Sequence, residues 1–370
     1  MSILAPSPDF VYGNTRLRAR KAQLLTEPAY DALLDRDING VQEALTQTAY
    51  RPDLESALAR VSGKRALENA VRDHLARTLD EMRSFYRGRA RELVDVLLAR
   101  FDLQNLITLV RGQVRAQPAE LILAAVVPLG PLGNSSAEEV ARRDEVASAV
   151  ELLISWRLPD PDTAATLAHA WPRFERTQDL AQLEHALVTA HAHRVERDLA
   201  NAPTTLRELI ARERDATNVL ALLGLRLSLQ VGESTALPAP PDSGRFLPGG
   251  RIGDNVLETA LHLPAVSDTA AALAGAAHRR DWQGPLERYP NTGDLPLLQR
   301  ELEAARVRWA LRLFLSGDPL GVDVPIAYTV AKENEARNLR LVAEGAADGE
   351  PAEAVRARLL LPDSPGRWAA

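Results

Sequence analysis

Cysteine is absent from the 370 residues, which removes disulfides, thiolate nucleophiles, iron–sulfur clusters and cysteine-bound zinc in one step and suits a reducing compartment such as the cytoplasm. Lysine is nearly absent. Lys21, Lys64 and Lys332 are the only three among 44 basic residues, so arginine is a chain-wide bias and no single arginine cluster marks a site. Long apolar runs are missing as well: residues 121–132 form the longest, and Pro128 and Pro131 break it well short of a bilayer span. Met1 to Tyr12 lacks the basic-then-apolar pattern of a leader, so no membrane insertion is expected. The net charge of −6 leaves no global positive field for nucleic acid or an anionic lipid surface. Strand-like alternation is scarce.

What the chain has is the composition of a globular protein, 46% apolar and 25% charged, with length for two or three domains. Helical spacing dominates. Leu67, Val71, Leu75, Leu79 and Met82 recur at three or four, as do Leu183, Leu187, His191, Val195 and Leu199, and again Leu298, Leu302, Ala305, Trp309 and Leu313. These runs predict long helices beginning near residues 66, 183 and 298. A second set of landmarks keeps a similar period: an acidic residue, two intervening positions, then asparagine and an apolar residue, at Asp102 and Asn105, Asp215 and Asn218, and Glu335 and Asn338. Gly112, Gly224 and Gly345 follow the asparagines at six or seven residues.

Three copies of one helical unit follow, drawn as residues 1–115, 116–232 and 233–370, with helices free to cross those lines and pseudo-threefold geometry as the expectation. The period is too long for helical-repeat families of roughly 33 to 47 residues, so the units are repeated domains. Each copy opens with shorter helical segments: Tyr30 to Leu45 followed by Tyr50-Arg51-Pro52-Asp53-Leu54, then Trp171 to Phe174 and Trp282 to Tyr289 in matching places. Turn-rich connectors span 128–136 and 236–253, and Pro362 to Ala370 reads as a loosely held tail.

The candidate chemistry is sparse. The acidic-asparagine triplets would put a carboxylate and an amide on one helix face, but Asp102 or Asp215 acting as a cap and a packed asparagine explain threefold recurrence better. The three glycines read as close helix approaches or helix ends. Gly249-Gly250-Arg251-Ile252-Gly253 lacks the spacing and flanking elements of a phosphate loop. His185, His191 and His193 are separated by six, two and eight residues, where two ligands on one helix want three or four. No serine elbow or paired carboxylate stands out, so no catalytic, cofactor or metal residue is assigned. Arg83 to Arg91 reads first as a solvated face and second as a docking surface for an acidic partner.

Phe101-Asp-Leu-Gln-Asn-Leu-Ile-Thr-Leu-Val-Arg-Gly112 and Ala331-Lys-Glu-Asn-Glu-Ala-Arg-Asn-Leu-Arg-Leu-Val-Ala343 resemble the C subunit of the archaeal and bacterial V-type (A-type) ATP synthases, a relative of the vacuolar ATPase d subunit. Tyr12-Gly-Asn-Thr-Arg-Leu-Arg-Ala-Arg-Lys21 with Leu24-Leu25, Phe246-Leu-Pro-Gly-Gly250 and Asp318-Pro-Leu-Gly321 match in the same order, so the resemblance spans nearly the whole chain. It implies an all-α funnel of three similar domains. It also implies a non-catalytic part at the cytoplasmic face, joining the central-stalk subunits to the membrane proteolipid ring and transmitting torque, with ATP chemistry and proton passage elsewhere. High Ala, Pro and Arg content and the segment after Gly345 depart from the family pattern. The competing reading is a helical scaffold or adaptor outside any ATPase.

Overall fold

The computed structural model describes residues 8–230, 244–277 and 279–361, and every regular element among them is a helix. In chain order these are α1 (Pro8–Lys21), α2 (Glu27–Leu34), α3 (Ile38–Leu45), α4 (Arg51–Leu58), α5 (Gly63–Ser84), α6 (Gly88–Val114), α7 (Ala119–Ala125), α8 (Asn134–Ala141) and α9 (Val146–Ser155). They continue as α10 (Pro161–Thr177), α11 (Leu180–Asp198), α12 (Thr204–Gln230), α13 (Asp254–Leu261), α14 (Val266–Ala277), α15 (Arg280–Thr292), α16 (Leu295–Ser316), α17 (Asp323–Asp348) and α18 (Ala352–Arg358). Pro238, Pro240 and Pro241 of the second connector and the tail from Pro362 lie outside the described residues.

The three long helices expected from periodicity are α5, α11 and α16, each starting three residues earlier than expected, so their spacing is unchanged. Residues 30–45, expected as one segment, form two helices. The Asp37 carboxylate accepts from the Gly40 N–H at 2.8 Å, which caps α3 and stops α2 from running on. Pro172 sits inside α10, and Pro285 and Pro290 inside α15, each deleting one rung of backbone bonding.

The chain divides into two compact units: residues 1–153 with 307–370, and residues 154–306. In the first, α17 is buried at every position from Asp323 to Lys332, so it needs neighbours on all sides and finds them in α1, α2, α3, α5 and α18. The apolar stripe of α5, Leu67 to Met82, is fully or nearly fully buried. The second unit closes around Leu222, Leu257, Trp282, Leu286 and Leu302 from α12, α13, α15 and α16, while α10 and α11 pair as a hairpin.

Candidate functional site

Asn105, Asn218 and Asn338 lie in the middle of α6, α12 and α17, and all three are buried. Each uses its amide in the same way. Asn105 donates from Nδ2 to the Val127 carbonyl at 2.7 Å and accepts from the Val127 N–H at 2.9 Å. Asn218 holds both backbone groups of Leu247 at 2.9 and 2.8 Å, and Asn338 those of Leu360 at 3.0 and 3.0 Å. A primary amide offers a donor and an acceptor side by side, matched to the N–H and C=O of one extended residue. Val127 and Leu247 each precede a proline, which biases them to extended backbone.

The acidic partner, three residues earlier, serves the turn that follows the captured residue. An added Cβ at Gly130 or Gly250 would lie 2.1 Å from Oδ1 of Asp102 or Asp215, so only glycine allows each turn to pass beneath its carboxylate. Asp215 accepts from the Arg251 and Ile252 N–H groups at 3.0 and 3.1 Å and pairs with the buried Arg279 guanidinium at 2.5 Å. Both aspartates therefore sit mid-helix, where the sequence suggested helix starts; Asp215 caps a loop turn, and Asp102 lies against the turn at Gly130. The Gly249 to Gly253 loop is the turn that Asp215 secures.

Gly112, Gly224 and Gly345 are helical, and none ends a helix. A Cβ would lie 2.6 Å from Ile122 Cγ1 at Gly112 and 2.3 Å from Val355 Cγ2 at Gly345, whereas Gly224 meets nothing nearer than Leu295 at 3.7 Å. Gly112 and Gly345 thus let α7 and α18 fold back onto α6 and α17. The correspondence is detailed: Pro118-Ala-Glu and Pro351-Ala-Glu open α7 and α18, and left-handed residues Ala116 and Gly349 precede them.

Glu335, the third acidic landmark, does something different. It accepts from the Leu25 N–H at 2.6 Å and the Tyr50 hydroxyl at 2.7 Å, and pairs with the equally buried Lys332. Beside it, His74 stacks on Tyr50 at 3.9 Å and its Nδ1 lies 2.9 Å from Asp53. Burial pushes the Asp53 carboxyl up, but hydrogen bonds from His74 and Arg77 outweigh it and hold its pKa at about 2. Burial lowers His74 and raises Tyr50, the latter helped by the Glu335 charge. Asn14 of α1 donates to the Pro319 and Gly321 carbonyls, both at 2.9 Å, and accepts from the Tyr86 hydroxyl. The stretches at 12–21, 24–25, 318–321 and 331–343 thus meet in one unit, as fasteners between chain ends.

The histidine run holds nothing in common. His185 Nε2 lies 2.7 Å from the Gly244 carbonyl, and His191 is buried, which together with the Arg194 charge lowers its pKa to about 4. His193 faces a groove of about 970 Å³ between α10 and α11, floored by Ala170, Phe174, Leu183, Ala186 and Ala190. Arg173, Arg176 and Arg197 rim it, and no set of acid, base and nucleophile converges there. Among the described residues no three His, Asp or Glu side chains gather as a metal site, and no helix is long and apolar enough to cross a membrane.

Residues 13–358 match the family of ATP synthase (C/AC39) subunits. The C subunit of the V-type ATP synthase of Thermus thermophilus is 29% identical over 359 residues, covering 96% of this chain and 99% of that one. Its counterpart in Deinococcus radiodurans is 27% identical over 317 residues, 81% and 86% of the two chains. The C subunit of the A-type ATP synthase of Haloferax volcanii is 24% identical over 357 residues, 96% and 98%. A match of this extent leads to one conclusion: the chain belongs to the C/AC39 family of ATP synthase subunits, the non-catalytic C subunits of V/A-type rotary ATPases.

Proposed function

We propose that this chain is the coupler of a V/A-type rotor, receiving the central-stalk subunits at one end and resting at the other on the membrane proteolipid ring, peripheral to the cytoplasmic face. The carrying observation is the end-to-end similarity to the C subunits of V-type and A-type ATP synthases. The amide clamps in α6, α12 and α17 support three repeated units, 1–115, 116–232 and 233–370, built on one plan and arranged as a funnel of approximate threefold symmetry. A torque coupler needs stiffness and two interfaces that do not slip. Close-packed helices supply the first, since protein interiors have low compressibility and transmit strain.

Titration of the purified chain, by interferometry or co-sedimentation, against its organism's central-stalk subunits and separately against the detergent-solubilised proteolipid ring tests the reading. Saturable binding to both is expected. Binding to neither, with the chain folded and both partners intact, overturns the coupler and favours a helical adaptor.

A further inference from the structure

The helix α1 is bound on one side and bare on the other. Phe10, Asn14 and Leu17 are buried, while Val11, Tyr12, Thr15, Arg16, Arg18 and Ala19 are exposed. The bare side is organised. The Arg16 guanidinium carbon lies 5.5 Å from the centre of the Tyr12 ring and 4.6 Å from that of Phe85, and the two rings meet edge to face at 6.4 Å. Arg20 lies 4.8 Å from the Phe85 ring centre. At the other end of the helix, Lys21 Nζ lies 4.6 Å from the ring centre of Phe314, whose neighbour Leu315 is 77% exposed.

Two properties single this face out. Of the six large apolar side chains left exposed among the described residues, Val11 and Tyr12 lie on this face, at 45% and 59% exposure. The cations here also exceed the anions. Residues 83–91 hold four arginines and no acid. Arg20 pairs with Glu81, Arg89 with Glu92, and Arg83 and Arg91 share Asp95. Arg16, Arg18, Lys21 and Arg87 have no carboxylate partner among the described residues. A net charge of −6 for the whole chain therefore hides a local excess of positive charge.

We propose that this face of α1, with Phe85, is a contact for the surface of an anionic phospholipid bilayer. Exposed Tyr and Val beside Arg suit the boundary between headgroups and acyl chains, where an amphipathic ring is at home and a guanidinium binds phosphate in a bidentate way. A purely acidic protein surface would satisfy the arginines but give Val11 and Tyr12 no apolar seat. The two rings hold the Arg16 guanidinium and the Tyr12 hydroxyl takes one of its N–H groups, which leaves the rest of the N–H edge for a phosphate. This inference rests on the coupler reading for the nearness of a membrane, and would place α1 against lipid at or beside the ring.

The test is co-sedimentation of the full chain with vesicles of phosphatidylcholine alone and of phosphatidylcholine mixed with phosphatidylglycerol. Binding to the mixed vesicles alone is expected, weakening as salt shortens the screening length. Each basic residue near such a surface is worth about 1 kcal/mol, roughly fivefold, so the double variant Arg16→Gln, Arg18→Gln should bind about 30-fold more weakly. Val11→Ala with Tyr12→Ala should lower the binding that survives high salt. A control pair in the second unit, Arg176→Gln with Arg207→Gln, should bind as the parent does, and circular dichroism should show all variants folded. No binding by the folded parent, equal losses in both arginine pairs, or capture by polyglutamate with no preference for anionic vesicles would each overturn the proposal. The stalk titration on the same preparations separates the two claims: Arg16→Gln, Arg18→Gln should keep stalk binding, and a parent that binds the stalk but no vesicle sinks the lipid contact alone.

Discussion

Truncation of the clamp asparagines should be costly, and unequally so. Asn105→Ala strands the N–H of Val127, which is 5% exposed and out of reach of water, while its C=O keeps the Leu129 N–H at 2.7 Å. A buried polar group left without a partner costs about 1–3 kcal/mol, so at this fully buried site the loss should be about 3 kcal/mol. Leu247 and Leu360 are only half-buried, and the Leu360 C=O also accepts from Asn334, so water and that second amide replace part of what Asn218 and Asn338 supply and their Ala variants should cost about 1 kcal/mol. In domains of this size 1 kcal/mol moves Tm by about 2–4 °C, which predicts a drop of about 6–12 °C for Asn105→Ala and about 2–4 °C for the other two. Because two compact units need not melt together, amide hydrogen exchange gives the sharper readout. The Val127, Leu247 and Leu360 amides should each lose protection in their own variant and keep it in the other two. Asn105→Asp preserves shape but sets an acceptor 2.7 Å from the Val127 carbonyl, so it should be at least as harmful as Ala near neutral pH. Equal costs at all three sites, a tolerated Asp, or lost stalk binding at an unchanged Tm would refute the clamp account.

Three further outcomes are expected. Gly345→Ala and Gly112→Ala, which drive a Cβ into Val355 and Ile122, should each cost about 1–3 kcal/mol, whereas Gly224→Ala has room and should stabilise by up to about 1 kcal/mol in chemical denaturation. Glu335→Gln leaves Lys332 charged and buried and should cost about 3–5 kcal/mol; adding Lys332→Met should recover much of it, and a double-mutant cycle that shows simple additivity contradicts the pairing. His191 is neutral in the fold down to about pH 4, while its unfolded form protonates near 6.5, so the unfolded state gains the proton first as pH falls. Stability of the second unit should drop by about 2 kcal/mol between pH 8 and pH 5, and His191→Gln should flatten that slope in urea titrations followed by exchange at α11 amides.

Helical class and period were legible because a 3.6-residue repeat is a local signal, and α5, α11 and α16 kept the spacing that periodicity set. The asparagines were visible as landmarks, but what they hold was not, since each captured residue lies 22 to 29 positions downstream in a loop without periodicity. A signal was there. Val-Pro-Leu-Gly at 127–130 and Leu-Pro-Gly-Gly at 247–250 share a pattern, and Pro-Ala-Glu recurs at 118 and 351. The buried Lys332–Glu335 pair was hidden inside a charged-looking helix, although a chain with three lysines had reason to place one where arginine would not fit. The contact-defined units were out of reach for another reason. The first joins residues 1–153 to 307–370 through α17, a long-range pairing that composition and spacing do not encode.

The clamp reads a peptide group and ignores the side chain attached to it. For the clamp itself Val127, Leu247 and Leu360 face one prohibition, proline, which would delete the N–H that the amide receives; burial asks in addition that Val127 stay apolar. The chain between clamp and catch is freer in length, the captured residue lying 22, 29 and 22 positions after Asn105, Asn218 and Asn338 without disturbing the handshake. Sequence identities of 29% and 24% to relatives that align end to end are what such a latch permits, since an amide holds the path of the backbone whatever side chain the held residue carries.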